Sequence, residues 1–410
     1  MDDQSQENME KPETDEYFKS YGDISVHELM LRDKPRTAAY QKFMQQNSHL
    51  LKDKIVLDVG SGTGILSLFA ASAGAKQVFA VEASAIADLS QSIIEENKME
   101  DKVKVIKGKI EEISLPVDKV DIIISEWMGF YLLHESMLDS VIFARDKYLA
   151  NDGLMIPSDA VLYMTPVNMS SYVAENILFW DNIYGYNFSA VKYAVLGNKM
   201  CEPTITCIEQ SQCVAEPEIF CELDLKTVTI TDIQNINQTL SYTFTKPGLV
   251  HGFASWFDVE FKGPIAASPD QGTKIVTLST SPATRQTHWK QTVIFLPASM
   301  TVDEGDQITA NIDLSQDDDN KRHYNISVEI IGEEDEQSSS EEDASHHPVP
   351  CHCGATRCML VQALVEKYGE EQNELEKEAE KVDVNAEVEA ARVIDREMTA
   401  NADINLNETF

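Results

Sequence analysis

Two glutamates nine positions apart, Glu126 and Glu135, sit in the run SEWMGFYLLHESML (Ser125 to Leu138). Taken alone, two carboxylates on one loop with a glycine, Gly129, are more often solvated surface than machinery. Their context is unusual. Upstream, VLDVGSGTGIL (Val56 to Leu66) reads as a buried strand entering a turn with Gly60, Gly62 and Gly64, then a helix. Glycine accepts positive φ and lets a ligand approach the backbone closely. Downstream, ATRQTHWKQTVIFL (Ala283 to Leu296) places Thr287, His288 and Trp289 just before an apolar strand. A lone histidine and tryptophan there would more often pack than react.

The glycine spacing is G-x-G-x-G, whereas the dinucleotide fingerprint is G-x-G-x-x-G. Asp58 stands just before the first glycine, where a pyrophosphate would be repelled. S-adenosylmethionine has no phosphate and carries a sulfonium and an ammonium, so an acid suits it. Glu82 ends the next strand, placed to accept hydrogen bonds from two ribose hydroxyls. The competing reading is a tight strand–helix turn with no ligand. Loop and acid in the right order count against it.

The elements that must position these groups follow two grammars. IVLDVG (Ile55 to Gly60), QVFAVEA (Gln77 to Ala83), VKVIKG (Val103 to Gly108) and VDIIISE (Val120 to Glu126) are short apolar runs suited to buried parallel strands. Ser84 to Lys98, with Ile86, Leu89 and Ile93 at helical spacing, supplies a helix between the second and third. This predicts an α/β, Rossmann-like doubly wound sheet whose last strand delivers the double-glutamate loop. Near Pro157 the texture changes. EIFCELDL, FASWFDVEF, IVTLST, TVIFL, ITANIDL and YNISVEII alternate with period two, with turns such as Lys246-Pro247-Gly248 between them. They predict an antiparallel sandwich or barrel. An aromatic-rich segment, Tyr172 to Phe188, interrupts the start of that domain. The predicted divisions are a disordered acidic start (1–15), a first domain (16–156), a β domain (157–332) and an acidic linker with a tail of helical pattern (333–410).

Composition narrows the function classes. The net charge is −36, of which residues 333–410, with 21 acidic and 6 basic side chains, carry −15. A phosphate backbone demands a basic footprint, so direct nucleic-acid binding is not expected. A basic protein partner is, since an acidic surface attracts and steers one. Solubility alone would also account for the charge. No run of roughly 18 uncharged apolar residues is present, so no membrane span is expected. Seven cysteines read as free thiols in a reducing compartment, which fits nucleus and cytoplasm.

Over residues 16–332 the chain resembles the protein arginine methyltransferase family, in its type I branch. EYFKSY (Glu16 to Tyr21), HELMLRDKPRT (His27 to Thr37), VLDVGSGTGIL, FAVEAS, KGKIEE (Lys107 to Glu112), SEWMG with its second glutamate, and THW occur in family order. The resemblance implies a methyltransferase domain using S-adenosyl-L-methionine, an antiparallel β-barrel, and a helical dimerisation arm at about Tyr172 to Lys199, hence a homodimer. It implies substrates that are arginine-containing basic proteins such as histone tails and arginine/glycine-rich proteins.

Roles carried over position by position are as follows. Arg36 would bind the cofactor carboxylate, and Asp58, Gly60 and Gly62 would line the methionine portion. Glu82 would hold the ribose, Ile110 and Glu111 would face the adenine, and Tyr21 and His27 join the cofactor set. Glu126 and Glu135 would clamp the guanidinium, and His288 would pair with Asp33 to help the proton leave. Met30 and Met137 would shape the pocket and Trp289 its wall. The chemistry agrees: a guanidinium is protonated and delocalised, and two carboxylates can fix its plane and polarise it. Relatives making symmetric dimethylarginine carry a bulkier aromatic at the Met30 position and lack THW. The expected products are therefore monomethyl and asymmetric dimethylarginine.

Three features depart from the family pattern. Phe130 follows SEWMG where many relatives carry tyrosine. LLHESML, with His134, looks more like nuclear, histone-modifying members. PCHCGATRC in the tail resembles a small zinc motif through Cys351, Cys353 and Cys358, but zinc prefers four ligands, and no metal is assigned. Two other classes stay open: a methyltransferase for small molecules or other side chains, with no reason to keep both glutamates and THW, and a catalytically weak coregulator acting through its tail.

Overall fold

The computed structural model describes residues 17–264 and 272–331. The expected disordered start, the acidic tail and the Cys351, Cys353, Cys358 cluster lie outside the described residues.

The first layer is a five-stranded parallel sheet in the order β3-β2-β1-β4-β5. Its strands are β1 (Ile55–Val59), β2 (Gln77–Glu82), β3 (Val103–Lys107), β4 (Val120–Ile124) and β5 (Leu149–Ile156). The order reverses at β1, where chain continuation goes outward to β2 and the other half begins with β4. Ligand crevices of open α/β sheets form at that switch point, beyond the strand carboxyl ends. Four strands match the sequence reading. The double-glutamate loop, however, does not leave the last strand: β5 follows it and pairs parallel with β4. The polar Asn151-Asp152-Gly153 inside β5 broke its apolar pattern. Helix Ile86–Glu96 forms as expected, but its stripe is rotated. Ile86, Ala87, Ser90 and Ile94 are buried, while Leu89 is exposed.

The second part is antiparallel. β6 (Asp159–Val167), β7 (Thr204–Thr206), β8 (Glu218–Asp224), β10 (Gly248–Phe261), β11 (Val276–Ser279) and β12 (Gln291–Val302) form one sheet, ordered β7-β12-β10-β6-β8 with β11 on β10. β9 (Asn235–Thr243), β13 (Gln307–Gln316) and β14 (Tyr324–Ile331) form the other. β8 lies against β9 and β12 against β14, so the two sheets curl around one interior. Phe220, Tyr242, Phe244, Phe253 and Leu314 fill it. β6, β7 and β9 escaped the sequence reading, β9 because NINQTLSYT is polar at most positions. β10 does not alternate: Val250 to Phe257 are buried without a break. As the middle strand it has protein on both faces, and Phe261 near its end takes Tyr40 edge-on, with ring centroids 4.7 Å apart.

Helices α1 (Ile24–Arg32) and α2 (Lys34–Gln46) precede the parallel sheet. Asp33 separates them and caps α2, its Oδ1 accepting the Arg36 amide at 3.1 Å. Residues 17–20 form a helical turn before α1. Between β6 and β7 the chain makes helix Ser170–Asn176, a turn at Leu178–Asp181 and helix Ser189–Cys201. An ion pair between Lys192 and Asp181 at 2.8 Å, nearly closed to solvent, ties this arm together. Phe179, Tyr184 and Tyr186 nevertheless stand out from it, Tyr184 fully exposed.

Candidate active site

Of the sixteen residues selected from the sequence, all but Asp33 and Asp58 line a single cleft at the carboxyl ends of β1, β2 and β4. Asp33 and Asp58 sit directly behind it.

The glycine turn is built as its sequence requires. Gly60, Gly62 and Gly64 have φ of 70°, 53° and 85°, conformations costly for other residues. The Gly60 and Ser61 amides both donate to the Val81 carbonyl, at 2.9 and 3.0 Å, pinning the turn to β2. Space is equally limiting: a Cβ on Gly60 would meet Met137 Cε at 2.7 Å, and one on Gly62 would meet the His27 ring at 3.0 Å. His27 itself is buried, with Nε2 against the Tyr21 carbonyl at 2.8 Å.

Two acids flank this turn. Glu82 accepts the Gly62 amide on Oε2 at 2.9 Å and the Ser84 amide on Oε1 at 2.7 Å. Each carboxylate oxygen therefore keeps a lone pair for a ligand. Asp58 is completely buried; Oδ2 accepts the Ser67 hydroxyl at 2.6 Å, and Oδ1 has no partner. Burial pushes its carboxyl up to about 7, against the opposing Ser67 hydrogen bond. An orphaned buried carboxylate oxygen is costly unless something completes it. A ligand bearing positive charge and ribose hydroxyls fits this donor and acceptor set. Ile110 is buried at the cleft, and Glu111 is exposed at its rim.

The loop after β4 is under conformational strain. Tyr131, Leu132, Glu135 and Ser136 all have positive φ, of 39°, 72°, 78° and 53°. Such a cluster persists only where its surroundings over-determine it. A two-way backbone bridge between Gly129 and Leu132 tightens the loop. Gly129 is required because a Cβ there would collide with the His134 carbonyl. At the loop's start, Ser125 donates to the Val59 carbonyl at 2.7 Å, and Tyr40 donates to the Ser125 carbonyl at 2.9 Å. These bonds lock the end of β4 to β1 and α2.

Arg36 is buried and Glu126 nearly so, and the two are joined to each other. Arg36 Nε and Nη2 both donate to Glu126 Oε2, at 2.7 and 2.6 Å. Sequence alone assigns them separate ligands, Arg36 the cofactor carboxylate and Glu126 the guanidinium; the structure joins them to each other. Glu135 Oε2 accepts the Tyr21 hydroxyl at 2.6 Å. Burial raises the Glu135 carboxyl pKa, and the charge of Glu126 adds to this, while Tyr21 and Arg322 act the other way. Met30 and Met137 line the same cleft.

The predicted His288–Asp33 pair is present. Asp33 Oδ2 lies 2.7 Å from both His288 Nδ1 and the His288 amide nitrogen. Burial would raise the Asp33 carboxyl, but the His288 ring, the His288 amide and the Arg36 amide together hold it below its usual range. Trp289 donates from Nε1 to the Met128 carbonyl at 2.8 Å, backing the double-glutamate loop from behind.

Among the cleft residues that the sequence did not single out are Tyr17, Phe18 and Arg322. Tyr17 and Phe18 lay in the quoted EYFKSY run without assigned roles. Arg322 lies in the polar turn between β13 and β14, 187 positions from Glu135, where no local spacing could announce it.

The chain is similar to known proteins along both of its parts. The model for the arginine methyltransferase oligomerization subdomain matches residues 158–333, and that for ribosomal protein L11 methyltransferase matches residues 38–153. A Schizosaccharomyces pombe protein arginine N-methyltransferase 1 is 43% identical over 314 residues, 77% of this chain and 88% of that protein. Protein arginine N-methyltransferase 1.1 of Arabidopsis thaliana is 41% identical over 77% of each chain. Among solved structures, a Trypanosoma brucei PRMT1 enzyme–prozyme heterotetrameric complex with AdoHcy is similar at a TM-score of 0.69 and 37% identity, covering 78% of this chain and 97% of that one. Arabidopsis thaliana protein arginine methyltransferase 10, in an open conformation, is similar at 0.66 and 32%, covering 77% of this chain and 94% of that one. The same two-part fold and a shared sequence at this level over most of both chains place this protein in the protein arginine methyltransferase family.

Proposed function

We propose that this protein is a type I protein arginine N-methyltransferase, which moves methyl groups from S-adenosyl-L-methionine to guanidino nitrogens of arginine in basic proteins. One observation carries the reading. A cleft with an orphaned buried acid behind its glycine turn also holds two carboxylates, Glu126 and Glu135, on a strained and braced loop.

When bound, S-adenosylmethionine supplies an electrophilic methyl group on a sulfonium. Gly60 and Gly62 would line its methionine portion, with the Asp58 charge behind them, Arg36 would meet its carboxylate, Glu82 its ribose, and Ile110 and Glu111 its adenine. Tyr21 and His27 close that side of the cleft. Glu126 keeps Oε1 without a partner among the described residues, since Arg36 takes only Oε2. Glu126 and Glu135 thus present carboxylate oxygens to a substrate guanidinium, fixing its plane and drawing charge from the attacking nitrogen. Correct placement of that nitrogen is worth up to about 7–11 kcal/mol in favourable systems. Alkylation releases one proton from it. Glu135, with its raised pKa, and His288, oriented by Asp33, are the groups within the cleft to accept that proton. Met30 and Met137 adapt around a first methyl group, so the same nitrogen returns for the second.

The exposed aromatics of the arm serve a homodimer, and the net charge of −36 suits cationic substrates such as histone tails and arginine/glycine-rich segments. Nucleus and cytoplasm are the proposed locations. The test is mass spectrometry and chromatography of acid-hydrolysed product from a mixture of histone and glycine–arginine-rich peptides. Monomethyl and asymmetric dimethylarginine are expected. Absence of methylated arginine refutes the reading, and dominant symmetric dimethylarginine refutes the type I assignment.

A further inference from the structure

Arg322 belongs to the turn between β13 and β14, yet it makes its contacts at the mouth of the cleft. Its carbonyl accepts the Glu135 amide at 2.7 Å, and its Nη1 donates to the Glu135 carbonyl at 2.8 Å. Glu135 is thereby gripped on both sides of a backbone held at φ 78°. The next residue back, Lys321, gives its carbonyl to the Ser136 hydroxyl. The turn itself is rigid, because Asn320 Oδ1 accepts the Arg322 amide at 3.1 Å and Asp317 Oδ1 accepts the amides of Asp319 and Asn320 at 2.9 and 2.8 Å.

The same guanidinium lies over the Tyr17 ring, 3.8 Å from its centroid, and 5.2 Å from that of Phe18. Tyr17 packs on Tyr21, ring centroids 4.9 Å apart, and Tyr21 donates to the Glu135 carboxylate. The contacts close a circuit. Arg322 holds the main chain of Glu135, Tyr21 holds its carboxylate, and Tyr17 joins the two holders.

We propose that Arg322 is a positioning residue that couples the N-terminal helical turn to the Glu135 loop, so that the segment lining the cofactor side and the substrate carboxylate are ordered together. The coupling rests on the arginine methyltransferase reading for its catalytic consequence, but not for its effect on cofactor binding. A planar guanidinium suits the position. It can stack on an aromatic face while its edge hydrogen-bonds a carbonyl, which an ammonium cannot do with one geometry. Its charge also opposes the raised pKa that burial gives Glu135.

The experiment is a double-mutant cycle of Arg322→Met and Tyr17→Leu, read by calorimetry with S-adenosylhomocysteine and by steady-state kinetics. Each single variant is expected to weaken S-adenosylhomocysteine. Arg322→Met is expected to lower kcat on the order of 10–100-fold, the cost of a misplaced reacting group, with the acid limb of the kcat–pH profile moved to higher pH. The double variant should lose no more than the worse single one. Arg322→Lys should return the acid limb towards that of the parent while cofactor binding stays weak. Losses that multiply in the double variant, or a kcat for Arg322→Met within about twofold of the parent, overturn the proposal. If Arg322→Met does not fold, Tyr17→Leu carries the test: unchanged S-adenosylhomocysteine affinity refutes the coupling. If the parent yields no methylarginine, the functional reading fails, and the binding cycle still decides this one.

Discussion

Asp33 holds His288 through a single carboxylate oxygen, which meets both the ring Nδ1 and the amide of that residue at 2.7 Å. The other oxygen caps α2. One side chain therefore starts a helix of the first domain and orients a ring that belongs to the loop before β12. The carboxyl is held below its usual range, so this contribution to stability is present above about 3.8 and is lost as pH falls through the lower folded value.

Asp33→Asn separates these duties. Asparagine caps helices about as well as aspartate, so the cap survives, but its Nδ2 cannot accept the His288 amide, and losing that buried bond should cost about 1–3 kcal/mol. The charge that orients and supports the His288 ring is removed, and kcat should fall on the order of tenfold or more. Thermal melts and kinetics on one preparation check this. A large loss of melting temperature with kcat retained would reverse the assignment.

Glu135→Gln keeps the side-chain shape but removes one charge from the proposed clamp. Loss of a preorganised electrostatic contact typically costs on the order of 10²–10³ in turnover. Binding of S-adenosylhomocysteine should stay within about threefold, because charge-assisted contacts to the guanidinium are the ones removed. Turnover at the parental rate in a folded variant would contradict the mechanism.

Asp58 makes the empty protein sensitive to pH. Its folded carboxyl titrates at about 7, above its ordinary value of 3.8. Between these values the folded state binds the extra proton, so stability from this group is lost as pH rises through the window. Asp58→Asn should flatten that slope, seen as melting temperature against pH. Binding of the cationic cofactor favours the ionised acid, so it should release a proton near neutral pH. Calorimetric enthalpies that do not vary with buffer ionisation enthalpy would count against the placement of Asp58.

The arm provides the fourth prediction. Replacing Phe179, Tyr184 and Tyr186 together by serine removes exposed apolar area that no other described residue covers. The variant should sediment as a monomer with little activity. An active monomeric parent at micromolar concentration would sink the dimer reading.

What could be read from the sequence was local. β1 to β4 were visible because each is a short apolar run, and the glycine turn because three small residues cluster after one of them. Glu126, Glu135 and His288 were found through motif order, and their partners Tyr21 and Asp33 came with the same motifs. The Arg36–Glu126 bond was missed because both side chains were assigned outward, to ligands. Arg322 was missed for a different reason: its meaning lies in a contact across the whole chain, and its own neighbours, Asp317 to Lys321, are ordinary turn residues. β5 and β9 were hidden because polar residues are tolerated where a strand reaches solvent. Leu89 misled in the opposite direction, an apolar residue that the helix turns outward.

The left-handed run at Tyr131, Leu132, Glu135 and Ser136 has an evolutionary consequence. Tyr131 bonds to the Tyr324 carbonyl, and Ser136 and Glu135 are held by Lys321 and Arg322, so a single inserted or deleted residue would displace Glu135 from both Tyr21 and Arg322. Diversification within this loop is therefore confined to exchanges of side chain at constant length. Phe130 and His134, which the sequence reading set apart from the family pattern, can be exchanged in that way without rebuilding the backbone.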